Sequence, residues 1–217
     1  MTEFKTASLA DQVFDKLEND IIMGVYPRGE VLTELKLVEQ LNVSRTPIRE
    51  ALRRLEQERL IDISGKRYVV LGITQEDLAD IMDIRVYAEA LASYYATKNA
   101  TPETLAKLLH IVQLQEFYVA QNDGEHLHLM DDQFHDCICA MCGRGVIRDT
   151  LMPLHRKTKR FRKASIQQAG RVEQTIREHR AIYEAIASGD AEQAKELTAQ
   201  HIRQAKQNMM KRMGFHE

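Results

Sequence analysis

Apolar residues recur three or four positions apart through the first part of the chain, and this spacing predicts three short helices. The first begins after Ser8 and ends at Gly24, where glycine and proline break the pattern. Thr33 can cap the second. A tight turn at Asn42 and Val43 then leads into the third, so the last two helices follow each other in helix-turn-helix order.

The third predicted helix carries basic and apolar residues on different faces. The apolar face consists of Ile48, Leu52 and Leu55, and the basic face consists of Arg45, Arg49 and Arg53. We expect Ser44 or Thr46 to cap the helix by accepting a backbone N–H. Pro47 is tolerated because amides of the first turn have no partner within the helix. An ordinary basic surface helix has the same features, but the flanking elements favour a helix that enters a DNA groove.

After Leu60 the apolar period changes from helical spacing to that of strands. Two short strand-like runs, at residues 61–63 and 68–71, enclose a turn that contains Gly65 and Lys66. They predict a two-stranded hairpin with a basic tip. Such a wing is able to touch a phosphate or the minor groove.

The charge distribution is compatible with nucleic-acid binding only at the local level. The whole chain has a net charge of −2, which is unusual for a nucleic-acid-binding domain. Between residues 44 and 72, however, seven basic residues stand against four acidic ones, an excess of three positive charges. We therefore expect binding to DNA that weakens steeply as salt is raised.

The remaining two thirds of the chain is predicted to be entirely helical. Six helical patterns follow, beginning near Thr74, Thr101, Glu125, Gly145, Val172 and Asp190. The chain is thus predicted to be mainly α, with a winged helix-turn-helix in residues 1–72 and an antiparallel helical bundle in residues 73–217. The first residues do not resemble a signal peptide and no apolar run is long enough to span a membrane, so we expect a cytosolic protein.

Three cysteines lie close together in the third helix of the predicted bundle, at Cys137, Cys139 and Cys142. The last two have the spacing of a redox or zinc pair, but the chain has no second pair. Cys137 and Cys139 would also point to nearly opposite sides of a helix. We interpret all three as core or near-surface thiols.

A group of histidines and one aspartate falls on the inward faces of three bundle helices. Asp131 and His135 stand four residues apart at the edge of one apolar stripe, while His179 and His201 each lie in the middle of another. Any one of these histidines alone is more simply read as a hydrogen-bonded core residue. Together they predict a metal site. Three imidazoles and a carboxylate suit zinc, nickel, manganese or iron better than calcium or magnesium.

Arg85 is a candidate for binding an anionic ligand, because it borders the inward face of the first bundle helix. Its guanidinium can clamp a carboxylate through two hydrogen bonds. Equally, it can form a surface salt bridge with Glu89 four residues later. His155, one turn after Leu151, is a further candidate for the cavity lining.

Residues 8–71 resemble the winged helix-turn-helix of the GntR family of bacterial transcription regulators. The match is carried by Val43-Ser44-Arg45-Thr46-Pro47-Ile48-Arg49-Glu50-Ala51-Leu52. The resemblance implies that Arg45 and Arg49 meet base edges and that Ser44 and Thr46 contact phosphates. It also places Gly65 and Lys66 at the wing tip. Two departures are Leu35, where some relatives have an arginine, and a short wing in which Lys66, Arg67 and Tyr68 replace smaller residues.

The segment from about residue 75 to 213 resembles the FCD effector domain of the FadR subfamily. Many FCD domains carry an aspartate and a histidine four residues apart on one helix and single histidines on the last two helices. Asp131, His135, His179 and His201 match that arrangement. The resemblance implies a metal with coordination positions left for the carboxylate of an effector.

These patterns together predict a ligand-responsive transcription regulator. It would bind a near-palindromic operator in double-stranded DNA as a homodimer, because one short helix reads too few base pairs alone. A small carboxylate effector would act at the metal. The alternatives are a regulator that senses the metal itself and a metalloenzyme with a DNA-binding appendage.

Overall fold

A computed structural model describes residues 8–65, 67–166 and 170–212 of the chain. Lys66, expected at the wing tip, lies outside these ranges. The chain separates into two units, Met1–Thr74 and Gln75–Glu217, and each contains a hydrophobic core. No helix in the described ranges combines the length and the apolarity that crossing a membrane requires.

The N-terminal unit has the predicted winged helix-turn-helix order. Its elements are α1 (Leu9–Met23), β1 (Val31–Leu32), α2 (Glu34–Leu41), α3 (Arg45–Gln57), β2 (Ile61–Ser64) and β3 (Arg67–Val70). Ser8 and Asp11 form a reciprocal capping box at the start of α1. Asn42 turns the chain from α2 into α3 with φ at 52°, a left-handed conformation that asparagine tolerates better than most residues.

The apolar face predicted for α3 forms the middle of the N-terminal core. Ile48, Leu52 and Leu55 are fully buried and belong to the same cluster as Leu17 of α1 and Leu37 of α2. Removing each such side chain from water contributes about 1.5–3 kcal/mol. This burial fixes the rotation of α3 about its own axis, and it leaves the arginine face on the surface.

The wing is a three-stranded antiparallel sheet with the strand order β1-β3-β2. The sequence predicted the hairpin of β2 and β3 but not β1. β1 contains only Val31 and Leu32, which is too short for an alternating pattern to be recognised. Gly65 makes the hairpin turn with φ at 65°, where most other residues are strained.

The C-terminal unit is the predicted all-helical bundle. It consists of α4 (Gln75–Lys98), α5 (Pro102–Ala120), α6 (Gly124–Met141), α7 (Gly145–Ile166), α8 (Arg171–Ala187) and α9 (Ala191–Arg212). Three-residue connections join α4 to α5, α5 to α6, α6 to α7 and α8 to α9. Short loops of this kind favour antiparallel neighbours, and α5 packs against α6, α6 against α7, and α8 against α9. α4 packs mainly against α9 and also against α6 and α7.

The bundle core includes three cysteines, Cys137 and Cys139 of α6 and Cys142 directly after it. All three are buried and free, as the sequence predicted. Burial raises the pKa of the Cys139 thiol to about 12. A thiol held in its neutral form is a poor nucleophile and a poor metal ligand, so Cys139 contributes packing.

Candidate metal centre and DNA interface

The start of α3 differs from the expected capping. Ser44 occupies the N-cap position, but its side chain makes no capping hydrogen bond with any residue of the described helix. The expectation that Ser44 or Thr46 caps the helix through its side chain is therefore wrong. An N-cap oxygen accepts from the second or third amide of the helix, and the third residue here is Pro47, which has no N–H. The Ser44 hydroxyl and the remaining amides of the first turn can therefore donate hydrogen bonds to an acceptor on another molecule.

The outer face of α3 carries three exposed arginines, Arg45, Arg49 and Arg53. The neighbouring Arg54 has a different role. It donates to Asp11 at 2.7 Å and lies over the ring of Phe14, with 3.9 Å between the guanidinium carbon and the ring centre. Arg54 therefore ties α3 to α1, and its charge counts less toward a DNA surface than the sequence suggested.

Arg49 is exposed but held. Its Nε donates to both carboxylate oxygens of Glu34, at 2.9 and 3.0 Å. The Tyr68 hydroxyl donates to the same carboxylate at 3.1 Å. The hydrogen bond from Arg49 lowers the pKa of Glu34. α2, α3 and the wing are joined through this one acidic side chain.

In the C-terminal unit, three histidines converge from three helices. His135 of α6, His179 of α8 and His201 of α9 are all buried, and one ring nitrogen from each lies within 4.8 Å of the others. The Nε2 atoms of His179 and His201 are 3.2 Å apart. Two nitrogens that share a tetrahedral zinc ion at about 2.0–2.1 Å are separated by about 3.3 Å, so this spacing fits a shared metal ion.

The other ring nitrogen of each histidine has an acceptor. Nδ1 of His135 lies 2.7 Å from Glu89, Nδ1 of His201 lies 2.7 Å from Glu178, and Nδ1 of His179 lies 3.0 Å from the amide oxygen of Gln115. Since these partners are acceptors, each Nδ1 carries the proton and each Nε2 presents a lone pair to the interior. Metal-binding histidines are commonly oriented in this way.

The facing ring nitrogens of His179 and His201 suit a cation placed between them. A proton is disfavoured, because burial holds the pKa of His179 well below the usual histidine range and lowers that of His135 to about 3. Two nitrogens that face each other at 3.2 Å with a lone pair on each repel each other. A cation between them removes the repulsion.

Asp131 lies beside the three histidines. Its Oδ1 is 3.9 Å from Nε2 of His179, and its Oδ2 is buried without a hydrogen bond to any described residue. Burial raises the pKa of this carboxyl group. The Nε of Arg162 lies 3.8 Å from that Oδ2. A buried carboxylate oxygen without a hydrogen bond is costly, and coordination to a cation would offset that cost. The structure therefore brings ring nitrogens of three of the predicted residues within 4.8 Å of one another, and the fourth, Asp131, lies beside them.

Arg85 lies beside this set and is almost fully buried. Its Nε donates to Glu89 at 2.6 Å and its Nη1 donates to Thr158 at 3.0 Å. The salt bridge that the sequence allowed as an alternative is present, but it lies in the interior and not at the surface. Because Arg85 also lines the cavity next to the histidines, the two roles considered for it are compatible.

That cavity is small, with about 20 Å³ of free space for the centres of water-sized molecules. Its polar lining consists of Arg85, Asp131, His135, Arg162, Ser165, Arg171, Thr175 and His201. Arg162 of α7 was missed by the sequence reading. Its Nη2 donates to Asp132 at 2.6 Å, whereas its Nε and Nη1 are buried and make no hydrogen bond with the described residues. Nε forms an ion pair with Asp131 at 3.8 Å. Guanidinium donors without a hydrogen bond in a cavity suit an anionic ligand.

His155 does not face this cavity. Its Nδ1 lies 2.8 Å from Asp136 and its Nε2 lies 3.2 Å from Glu89, so it braces the carboxylate that orients His135. Burial alone would raise the pKa of the Glu89 carboxyl group. The neighbouring charge of Arg85 acts in the opposite direction, and that pKa lies well below its usual range. The sequence did not identify the three residues that support the histidines, Glu89, Gln115 and Glu178. Each lies on a different helix from the histidine it holds, and Glu178 is also next to another histidine in the chain.

The N-terminal unit is a winged helix-turn-helix with exposed arginines on α3. The C-terminal unit encloses His135, His179 and His201, which we call the histidine cage. This combination is typical of transcription regulators that carry a DNA-binding unit and a ligand-binding unit in one chain. Comparison with known families supports this assignment. Residues 9–70 match the bacterial regulatory proteins of the gntR family, and residues 80–204 match the FCD domain. The chain belongs to the GntR family of bacterial transcription regulators, with a C-terminal FCD domain, which is consistent with the FadR subfamily.

Several characterised relatives are similar to this chain. The gluconate operon transcriptional repressor of Bacillus licheniformis is 30% identical over 132 residues, which are 61% of this chain and 54% of the repressor. This chain thus spans about half the length of the gluconate repressors it matches. The transcriptional repressor GlaR of Escherichia coli is 27% identical over 195 residues, 86% of this chain and 89% of GlaR.

A solved structure shares the whole architecture. The Escherichia coli protein McbR/YncC superposes with a TM-score of 0.78 over 96% of this chain and 100% of that chain, at 23% sequence identity. At this level of identity the likeness concerns the fold alone. It agrees with the fold predicted from the sequence.

Proposed function

We propose that this protein regulates transcription in the bacterial cytoplasm by binding a near-palindromic operator as a homodimer. A small organic acid would change its affinity for that operator. Residues 1–72 would form the DNA-binding domain and residues 73–217 the effector-binding and dimerisation domain. The observation that carries the effector half is the convergence of ring nitrogens from His135, His179 and His201, with a carboxylate oxygen of Asp131 3.9 Å from one of them.

The DNA-binding half of the proposal rests on the exposed side of α3. Arg45 and Arg49 are exposed on this side and would meet base edges in the major groove. Ser44, Thr46 and the uncapped first turn suit phosphate oxygens. Gly65 and Lys66 of the wing would add a contact with the backbone or the minor groove.

The metal half rests on the donor set. Asp131, His135, His179 and His201 would hold one divalent transition metal ion, with zinc, nickel, manganese and iron as the candidates. When bound, that ion supplies a Lewis acid with coordination positions open toward the cavity. The protein's own part is to fix the imidazoles through Glu89, Gln115 and Glu178.

The effector is inferred from the cavity. The guanidinium groups of Arg85 and Arg162 border it, and Ser165 and Thr175 add hydroxyls. The free space in it, about 20 Å³, holds about one water molecule, so a bound acid would require the lining side chains to move apart. A small hydroxylated carboxylic acid matches the polarity of this lining. Sugar acids are the first to test, since one relative is named for a gluconate operon.

The homodimer is supported by the surface of α4. Ile84, Tyr87 and Leu91 are spaced along one face and are 48%, 75% and 41% exposed. A row of large apolar side chains on a helix surface is a common mark of a protein–protein contact. A second copy would cover it. The effector can bias DNA binding only if it binds one arrangement of the dimer more tightly than another.

The experiment combines operator binding with a ligand screen. The full-length protein selects duplexes from a random pool, and its affinity for the selected duplex is measured with each candidate acid, with and without added metal. We expect one acid to change operator affinity about tenfold or more in the metal-loaded protein and to raise the melting temperature. Arg49→Ala should abolish specific binding while metal content is unchanged.

Each other outcome has a defined meaning. A response to metal alone, with every acid silent, would replace the effector proposal with metal sensing. Turnover of an acid would point to an enzyme. Operator affinity that is unchanged in Arg49→Ala would contradict the assignment of α3 as the reading helix.

A further inference from the structure

Tyr68 occupies an unusual place in the wing. It lies in the central strand β3, opposite Leu32 of β1 and Ile63 of β2. Its ring packs against the N-terminal core, and its hydroxyl reaches out of the sheet to donate to Glu34 at 3.1 Å. A wing residue is thus connected to the first residue of α2.

Glu34 passes this connection on to α3. The Glu34 side chain is 23% exposed, and both of its carboxylate oxygens accept from Nε of Arg49. The Arg49 side chain is 62% exposed. Tyr68, Glu34 and Arg49 therefore form a chain of hydrogen bonds that runs from the wing to the reading face of α3. Its outer end is an arginine and its inner end is anchored in the sheet.

The position of the hydrogen bond on the guanidinium matters. Because Glu34 takes only Nε, the two terminal nitrogens of Arg49 make no hydrogen bond with any part of the chain that the structure describes. A guanine presents O6 and N7 to two such N–H groups in the major groove. An arginine whose direction is already fixed loses less side-chain entropy when it binds.

We infer that Tyr68 and Glu34 are specificity-determining positioning residues, which aim the terminal nitrogens of Arg49 at a G·C base pair. This rests on the proposed function in one respect, namely that Arg49 reads a base. Tyr68 adds no charge, so its removal should alter the discrimination between base pairs and leave the charge-driven affinity for any DNA as it is.

A neighbouring ion pair provides a matched control. Lys36 donates to Glu30 at 3.1 Å, which ties α2 to the segment before β1 but does not involve α3. Glu30→Gln makes the same chemical change as Glu34→Gln. Any general effect of losing one negative charge near DNA is common to both variants.

The test uses the full-length protein and a duplex that it selects from a random-sequence pool. Affinities are measured for that duplex, for duplexes in which each base pair is replaced in turn, and for an unrelated duplex. The variants are Tyr68→Phe, Glu34→Gln, the double variant, Glu30→Gln and Arg49→Ala. Melting temperatures are recorded for all of them.

We expect Tyr68→Phe to lower discrimination by about threefold to tenfold at one G·C pair in each half-site. Its affinity for unrelated DNA and its melting temperature should stay near those of the parent. Glu34→Gln should lower discrimination at the same pair by about tenfold, and the double variant should match Glu34→Gln, because Tyr68 acts through Glu34. Glu30→Gln should keep the parent's base preference.

Two results would overturn the inference while the proposed function stands. One is full discrimination at every position in Tyr68→Phe and Glu34→Gln, with loss of specific binding in Arg49→Ala. The other is a uniform loss at all positions together with a lower melting temperature, which would make the contact merely structural. Specific binding that survives Arg49→Ala would remove the proposed reading helix, and the inference with it.

Discussion

At the residue scale, the side chains behind the imidazoles decide what the histidine cage can bind. Glu178 accepts from His201 at 2.7 Å and takes both terminal nitrogens of Arg171, at 2.8 and 3.0 Å. These hydrogen bonds outweigh burial and hold the pKa of Glu178 at about 2. A carboxylate that remains ionised makes the imidazole in front of it a stronger ligand.

Glu178→Gln should therefore weaken metal binding while keeping the shape of the site. We expect metal affinity to fall by about tenfold, measured by competition with a chromophoric chelator at neutral pH. Glu184→Gln is the matched control, because Glu184 is exposed on the same helix. Equal affinities in the two variants would show that the carboxylate behind His201 does not tune the site.

At the element scale, the period of the apolar residues determined most of what could be predicted. α3 was recognisable because Ile48, Leu52 and Leu55 stand one turn apart and all face the core. β1 was not recognisable, since it is two residues long and exists only through its pairing with β3. The capping of α3 was predicted wrongly. The sequence shows that Pro47 has no amide hydrogen, but this was read only as compatible with the first turn of a helix and not as the loss of a donor for the N-cap side chain.

The role of α3 in the core gives a prediction for the N-terminal unit. Leu52→Ala should destabilise that unit by about 2–5 kcal/mol, because it deletes a fully buried side chain and leaves a cavity. Operator binding should be lost as the unit unfolds, and metal content should be retained, since the histidines lie in the other unit. Urea denaturation and metal analysis of the same sample check both statements.

Leu35→Ala is the control for that measurement. Leu35 is 57% exposed on α2, so its truncation should change the stability by no more than about 0.5 kcal/mol. If both variants lost the same amount of stability, the core position assigned to Leu52 would be contradicted.

At the scale of the whole molecule, the sequence predicted two units with different chemistry. It also singled out the three histidines whose ring nitrogens converge in the second unit, because each lies on or beside an inward helical face. The supporting residues could not be found in the same way. Gln115 and Glu89 hold histidines of other helices, and the period of one helix does not tell which neighbour it packs against. Arg162 was missed for the same reason.

The histidine cage is the feature on which the account of the second unit depends. The most direct measurement is the metal content of the full-length protein after dialysis against zinc, compared with His179→Ala, together with the position of the anomalous scattering peak in a crystal. We predict one ion per chain, bound between His135, His179 and His201 beside Asp131, and its loss in the variant. A zinc-dialysed protein that holds no ion, or holds it elsewhere and equally in His179→Ala, would contradict the account.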